Sequence, residues 1–193
     1  MIFVLLVFLV GASVTDILWG RIPNKITYSG TVVGLGLNVV GTLVVHVNGV
    51  QPGQLNVIGW IGIDRSLLGF LACGLVMVVC YVFFKIGGGD VKLIAMMGAF
   101  LGPDRGITAM LWTFVLGACF GLIVLVWRVG PWRLAAQLAR HLLWSLRLGR
   151  WDPLTAEERA QLQPPLFLAP SALIATVIVA FELVERFVFA AGA

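Results

Sequence analysis

Apolar residues run along this chain in long blocks, and short clusters between the blocks hold nearly all the charge. Met1–Thr15 is the first block. Thr27–Val47 is the second, with glycines and Asn38 as its interruptions before His46. Leu67–Phe84, Val91–Pro103, Gly106–Trp127 and Leu166–Phe189 follow. A stretch that is apolar on every side reads as a helix with no face for water, and about 20 such residues cross a hydrocarbon core of about 30 Å. The pattern therefore predicts six transmembrane helices, the fourth of them short. No Lys or Arg precedes the first block, so it is expected to be a retained helix rather than a secretory leader. Val57–Ile63 is too short to span and is expected at an interface.

One segment has a different rhythm. In Gly130–Gly149, Arg133, Gln137, Arg140 and Arg147 share a helical stripe, while Trp132, Leu134, Leu138, Leu142, Leu143 and Leu146 cover much of the rest. Pro131 suits a first helical position. A basic amphipathic helix lying on anionic lipid is expected, with a cytoplasmic extension of the fifth span as the alternative. Trp151–Pro165 is polar and reads as a loop with one helical turn at 156–162.

Composition agrees with lipid as the main solvent. Of 193 residues, 60% are apolar and 11% charged, against about 25% charged in soluble domains. The mean hydropathy is +1.03. Disorder, a disulfide scaffold, a coiled coil and a soluble nucleotide enzyme are excluded. With the amino terminus outside, ten Lys and Arg fall on the cytoplasmic side (21, 25, 85, 92, 128, 133, 140, 147, 150, 159) and three on the other (65, 105, 186). The fold class expected is thus all-α: a polytopic membrane bundle of six helices plus a cytoplasmic amphipathic helix, forming one domain over 1–193. Cys73, Cys80 and Cys119 sit in apolar runs without a Cys-x-x-Cys, and are expected to be buried reduced thiols rather than metal ligands.

Nine acidic residues can be taken singly. Asp64 and Asp104 lie beside Arg65 and Arg105 in outer loops. Asp152, Glu157 and Glu158 are in the polar cytoplasmic loop. Glu182 and Glu185 are near the outer end of the last span, where Glu182 could turn to the bundle interior. Asp16 follows fifteen residues of the first span, and Asp90 precedes thirteen of the fourth. At 1.5 Å per residue both carboxylates fall roughly 20–23 Å from the outer boundary, below the cytoplasmic surface at one depth. Intramembrane ionisable groups usually mark function. Two facing carboxyls share a proton, so one can activate water while the other donates to a carbonyl oxygen. The plainer alternatives are an Asp16 paired with Arg21 or Lys25, and an Asp90 that only caps a helix. Gly87-Gly88-Gly89 precede Asp90 and are expected to let the backbone leave helical geometry beside a substrate strand. A phosphate loop is the weaker reading, since Gly-x-x-x-x-Gly-Lys-Ser/Thr is missing.

These residues resemble a known family. Gly87-Gly88-Gly89-Asp90 fits the Gly-x-Gly-Asp of intramembrane-type aspartyl proteases. Through Val91-Lys92-Leu93 it is similar to the Gly-x-Gly-Asp-x-Lys-Leu of type IV prepilin peptidases. Asp16 with Arg21-Ile22-Pro23-Asn24 is similar to that family's first catalytic aspartate and Ile-Pro-Asn segment. The run from Pro164 to Pro170 resembles its Pro-rich entry to the last helix, more loosely.

The resemblance implies a membrane aspartyl endopeptidase that removes the basic leader of type IV prepilins or pseudopilins at the cytoplasmic face of the bacterial inner membrane. Asp16 and Asp90 carry over as the catalytic pair. Gly87, Gly88, Gly89, Lys92, Arg21, Pro23 and Asn24 carry over as substrate-binding positions, with no metal and no cofactor. Lys92 lies roughly 200° around the helix from Asp90, so no direct ion pair is expected between them. Partners would be the prepilin, membrane lipid and the pilus or secretion machinery, and not nucleic acid. Larger members have an amino-terminal region with paired Cys-x-x-Cys and also methylate the product. This chain lacks those cysteines, so methyl transfer is not expected, and the layout is more like the peptidases of tight-adherence pili. The competing classes are a proton-coupled transporter using the same aspartates and a non-catalytic assembly scaffold.

Overall fold

Every block predicted to be helical, where described, is helical in the computed structural model, which describes residues 1–48, 59–84, 86–130 and 168–182. The helices are α1 (Ile2–Trp19), α2 (Asn24–Asn48), α3 (Ile63–Phe84), α4 (Gly88–Val129) and α5 (Leu168–Ala180). The first four are long and apolar enough to cross a membrane. The described residues form no element other than helix, and the protein is a multi-pass membrane protein. The amphipathic segment beyond Gly130, the 151–165 loop, Lys85, residues 57–58 of the interfacial segment and residues 183–189 of the sixth block lie outside the described residues.

The chain divides into two compact units. The unit Gly117–Leu166 contributes the last stretch of α4, which ends where the Gly130 N–H donates to the Val126 carbonyl at 3.0 Å and Gly130 turns left-handed at φ 84°. The other unit, Met1–Leu116 with Phe167–Ala193, contains the site.

The fourth and fifth blocks are assigned as one helix of 42 residues, but Gly102 interrupts it at φ 79°, ψ −179°. A straight helix of that length would run about 63 Å, twice a hydrocarbon core. It does not run straight. A Cβ at Gly106 would lie 3.1 Å from Gly98 Cα, whereas eight helical residues advance about 12 Å. The chain folds back at Gly102-Pro103. Only glycine takes up that φ without strain, and the proline that follows lacks the N–H a continuing helix would use.

Helices in lipid gain little from hydrophobic burial against each other, so close approach by small residues must hold them. The first limb of α4 is the centre: every residue from 93 to 102 is buried. Gly69 of α3 meets it backbone to backbone, since a Cβ at Gly69 would collide with the Gly98 carbonyl and the Gly102 backbone. On α2, Cβ atoms at Gly30 and Gly34 would strike Met96 and Phe100, the latter at 2.7 Å. Buried Leu5, Leu9, Ala12, Ser13 and Asp16 form one stripe of α1, and α5 packs on α1 with its own buried Ala169, Ala172 and Ala175.

A buried polar chain links α2, α3 and the first limb of α4. Asn38 Nδ2 donates to Ser66 Oγ at 3.2 Å, and Ser66 Oγ donates to the Ala99 carbonyl at 2.5 Å. The Ile61 N–H donates to Asn38 Oδ1 at 3.3 Å, and Trp60 Nε1 donates to the Asn38 carbonyl at 3.3 Å. The sequence showed Asn38 only as an interruption; it is fully buried and tied to α3 and to the turn before it.

Two glycine-to-alanine changes separate packing from helix propensity. Gly98→Ala places a methyl against the Gly69 backbone, which cannot give, and is expected to cost about 3 kcal/mol. Gly36→Ala meets nothing within 4 Å and should shift stability by no more than about 1 kcal/mol, in the stabilising direction. Thermal unfolding in detergent reads both; equal melting of the two variants would contradict this packing.

Candidate active site

The first carboxylate stands at the end of a helix. Asp16 lies in the last turn of α1, and Gly20 closes that helix in the left-handed conformation, φ 59° and ψ 26°, donating its N–H to the Asp16 carbonyl at 2.8 Å. The Asp16 side chain is buried, with 6% exposure. Its Oδ2 accepts the Ala169 N–H at 3.2 Å. Ala169 is the second residue of α5, so this N–H is one of the donors a helix start leaves without an internal partner. A carboxylate there also faces the positive end of the helix dipole. The plainer alternative, a pairing of Asp16 with Arg21 or Lys25, is not what the structure contains: among the described residues the salt bridge is Arg105–Glu182 at 3.0 Å.

The second carboxylate stands at the start of a helix. Asp90 is the third residue of α4, and its N–H donates to the Gly87 carbonyl at 3.0 Å. It is half-buried. The cap position belongs to Gly87, so Asp90 is not the N-cap residue of that reading. Asp90 lies within coulombic range of Asp16. One aspartate closes α1 and the other opens α4, and the structure brings them to one end of the bundle.

The glycines act differently from expectation. Gly88 and Gly89 are helical, and none of Gly87, Gly88 and Gly89 has positive φ. What they provide is space. A Cβ at Gly89 would lie 3.2 Å from Ile22 Cβ, so the absent side chain lets the loop after α1 lie on the start of α4. A Cβ at Gly87 would sit 3.0 Å from Asp90 Oδ2. Gly88 faces open space, with nothing within 4 Å of its Cβ position.

Lys92 is turned away from Asp90, as its helical position requires. Its Nζ donates to Asn24 Oδ1 at 2.8 Å and lies 4.8 Å from the centre of the Tyr28 ring. Arg21 is exposed. The Pro23 carbonyl accepts the Ile26 N–H at 3.1 Å in the first turn of α2. Glu182 is exposed on its ion pair with Arg105 and does not turn inward. Among the described residues no three His, Cys, Asp or Glu side chains gather in a metal-binding group.

Sequence reasoning missed Ala169, Ile22 and Tyr28. Tyr28 was accessible to it, being four residues after Asn24 and so on the same helical face. Ala169 was partly so, as a residue at a helix start just past a Pro-Pro pair. Ile22 was present in the Ile-Pro-Asn segment, but nothing in the sequence said that it would lie against Gly89.

A profile of the type IV leader peptidase family matches residues 3–122. That match includes Asp16, the loop of Ile22, Asn24 and the whole of the segment from Gly87 to Lys92. The comparisons with curated proteins and with solved structures gave no match.

The Ala169 contact makes a stability prediction separate from chemistry. Asp16→Asn keeps an acceptor oxygen and should unfold near the unchanged protein. Asp16→Leu leaves a buried N–H unpaired and should lose about 1–3 kcal/mol. Thermal melts of the two purified variants decide it; a leucine variant as stable as the asparagine one would remove the contact from the account.

Proposed function

Because the chain belongs to the type IV leader peptidase family, and is thus a protease of the membrane, we propose that it is an aspartyl endopeptidase whose Asp16 and Asp90 cleave the leader of a prepilin or pseudopilin at the cytoplasmic face. The observation that carries this reading is that two carboxylates from separate helices lie at one end of the bundle within coulombic range of each other, neither of them in a salt bridge among the described residues.

The chemistry follows from the pair. One carboxylate takes a proton from a water held between them, and the water oxygen attacks the scissile carbonyl carbon. The other carboxyl, protonated, donates to the carbonyl oxygen. The tetrahedral intermediate breaks at its C–N bond, and the proton taken up from water passes to the departing nitrogen. The products are a leader ending in a carboxylate and a pilin with a new amino terminus. The open face at Gly88 suits an extended substrate backbone, because among the described residues nothing lies within 4 Å of its Cβ position. The bundle's lipid-facing apolar surface suits the substrate's own helix. The excess of Lys and Arg in the loops on the dyad's side supports a cytoplasmic approach.

Co-expression with a tagged prepilin tests the assignment. Asp16→Asn and Asp90→Asn should each leave the precursor uncut, with a loss of at least about 10³-fold, while the variants still insert in the membrane. Chelators should leave the unchanged enzyme active. Normal processing by either variant, or loss of activity in chelator with recovery on adding zinc, would overturn the proposal.

A further inference from the structure

Each aspartate lies close in sequence to one end of a cross-link. Asn24 comes eight residues after Asp16, beyond the Gly20 cap and the Ile22 loop. Lys92 comes two residues after Asp90. The 2.8 Å bond from Lys92 Nζ to Asn24 Oδ1 therefore joins the two aspartate-bearing segments in one path: Asp16, Gly20, Ile22, Asn24, Lys92, Asp90. Between the two segments, a Cβ at Gly89 would lie 3.2 Å from Ile22 Cβ. Tyr28, one turn along α2 from Asn24, places its ring beneath the same ammonium at 4.8 Å, within the range of a cation–π contact. The ammonium is thus held by two groups of one helix face, at an exposed edge of the bundle where Lys92 is half-buried and Asn24 and Tyr28 are exposed.

We propose that Lys92 is a positioning residue, clamped by Asn24 and Tyr28, which fixes the loop after α1 against the start of α4 and so sets the spacing of the two carboxylates. This rests on the protease reading for its catalytic consequence and departs from Lys92 and Asn24 as substrate contacts. The physical reasons are three. A lysine that bound the leader would present its charge to a basic peptide, which is repulsive. One of its three N–H donors is engaged by Asn24 and its charge by the Tyr28 ring. And a hydrogen bond from a charged donor is strong enough to hold two helix ends in register.

Two measurements on the full-length protein in detergent or nanodiscs test it. The first is steady-state cleavage of a purified prepilin. Lys92→Met and Asn24→Ala are each expected to lower kcat by about tenfold or more, with KM within about twofold. The double variant should be no worse than the more affected single one, because both remove the same bond. Lys92→Arg should recover most of the rate, since it keeps the charge, a donor and the ring contact. The second needs no activity. Spin labels at Arg21→Cys and Gly88→Cys, with Cys73, Cys80 and Cys119 replaced by Ala, should give a narrow distance distribution. Lys92→Met should broaden it and Lys92→Arg should narrow it again. A rise in KM that depends on leader charge with kcat unchanged, or a label distance insensitive to Lys92, would overturn the clamp. Should Asp16→Asn and Asp90→Asn process normally while the label distance still follows Lys92, the protease chemistry falls and the clamp stands.

Discussion

A carboxylate at membrane depth has to find a partner in the protein, because lipid offers none. Asp16 finds it in the Ala169 N–H, and much of the arrangement around the site follows from that bond. It brings the start of α5 to the end of α1. The small residues of α5 then pack along the apolar stripe of α1, continuing the contact that the polar pair begins. A helix start supplies the partner without a second charge, so the carboxylate is bound but not neutralised by a cation. A dyad that is to share a proton requires that.

Opposite it, Asp90 opens the most buried segment of the protein. The first limb of α4 is gripped by α2 through Gly30 and Gly34 and by α3 through Gly69, contacts with almost no freedom to slide. Rigidity at the centre serves the proposed catalysis. Two carboxyls that must cooperate on one water need fixed positions, and a displacement of about 1 Å costs rate steeply. Asp90 opens the limb whose residues 93 to 102 are all buried. Asp16 is held at both ends of its turn, by the Gly20 cap behind and the Ala169 N–H in front.

Much of this was legible before the structure. Blocks apolar all round announce helices in lipid, and counting residues along two of them puts both aspartates at one depth. The fold-back at Gly102-Pro103 coincides with the glycine–proline pair that ends the fourth block. Other features were not, for identifiable reasons. Periodicity says which residues share a helix face but not which helix that face meets, so the pairing of α1 with α5 is silent. A Gly-Gly-Gly run signals freedom of backbone, yet here two of the three are helical and the run matters for what it leaves out, at Gly89 against Ile22. Glu182 looked available to the interior because sequence distance hides Arg105, 77 residues away, which pairs with it. Asn38 read as a blemish in a span and is instead a buried junction, because a single amide can satisfy partners on two other segments at once.

The central claim is that Asp16 and Asp90 face each other across one substrate-accessible site. The most direct measurement is bridging of Asp16→Cys to Asp90→Cys by a short bifunctional thiol reagent in membranes, in a chain whose Cys73, Cys80 and Cys119 are replaced by Ala. The account predicts rapid intramolecular bridging that a saturating prepilin slows, since the substrate occupies the space between the two positions. Absence of bridging, with each single variant labelled normally by a monofunctional thiol reagent, would show that the carboxylates do not meet and would contradict the account.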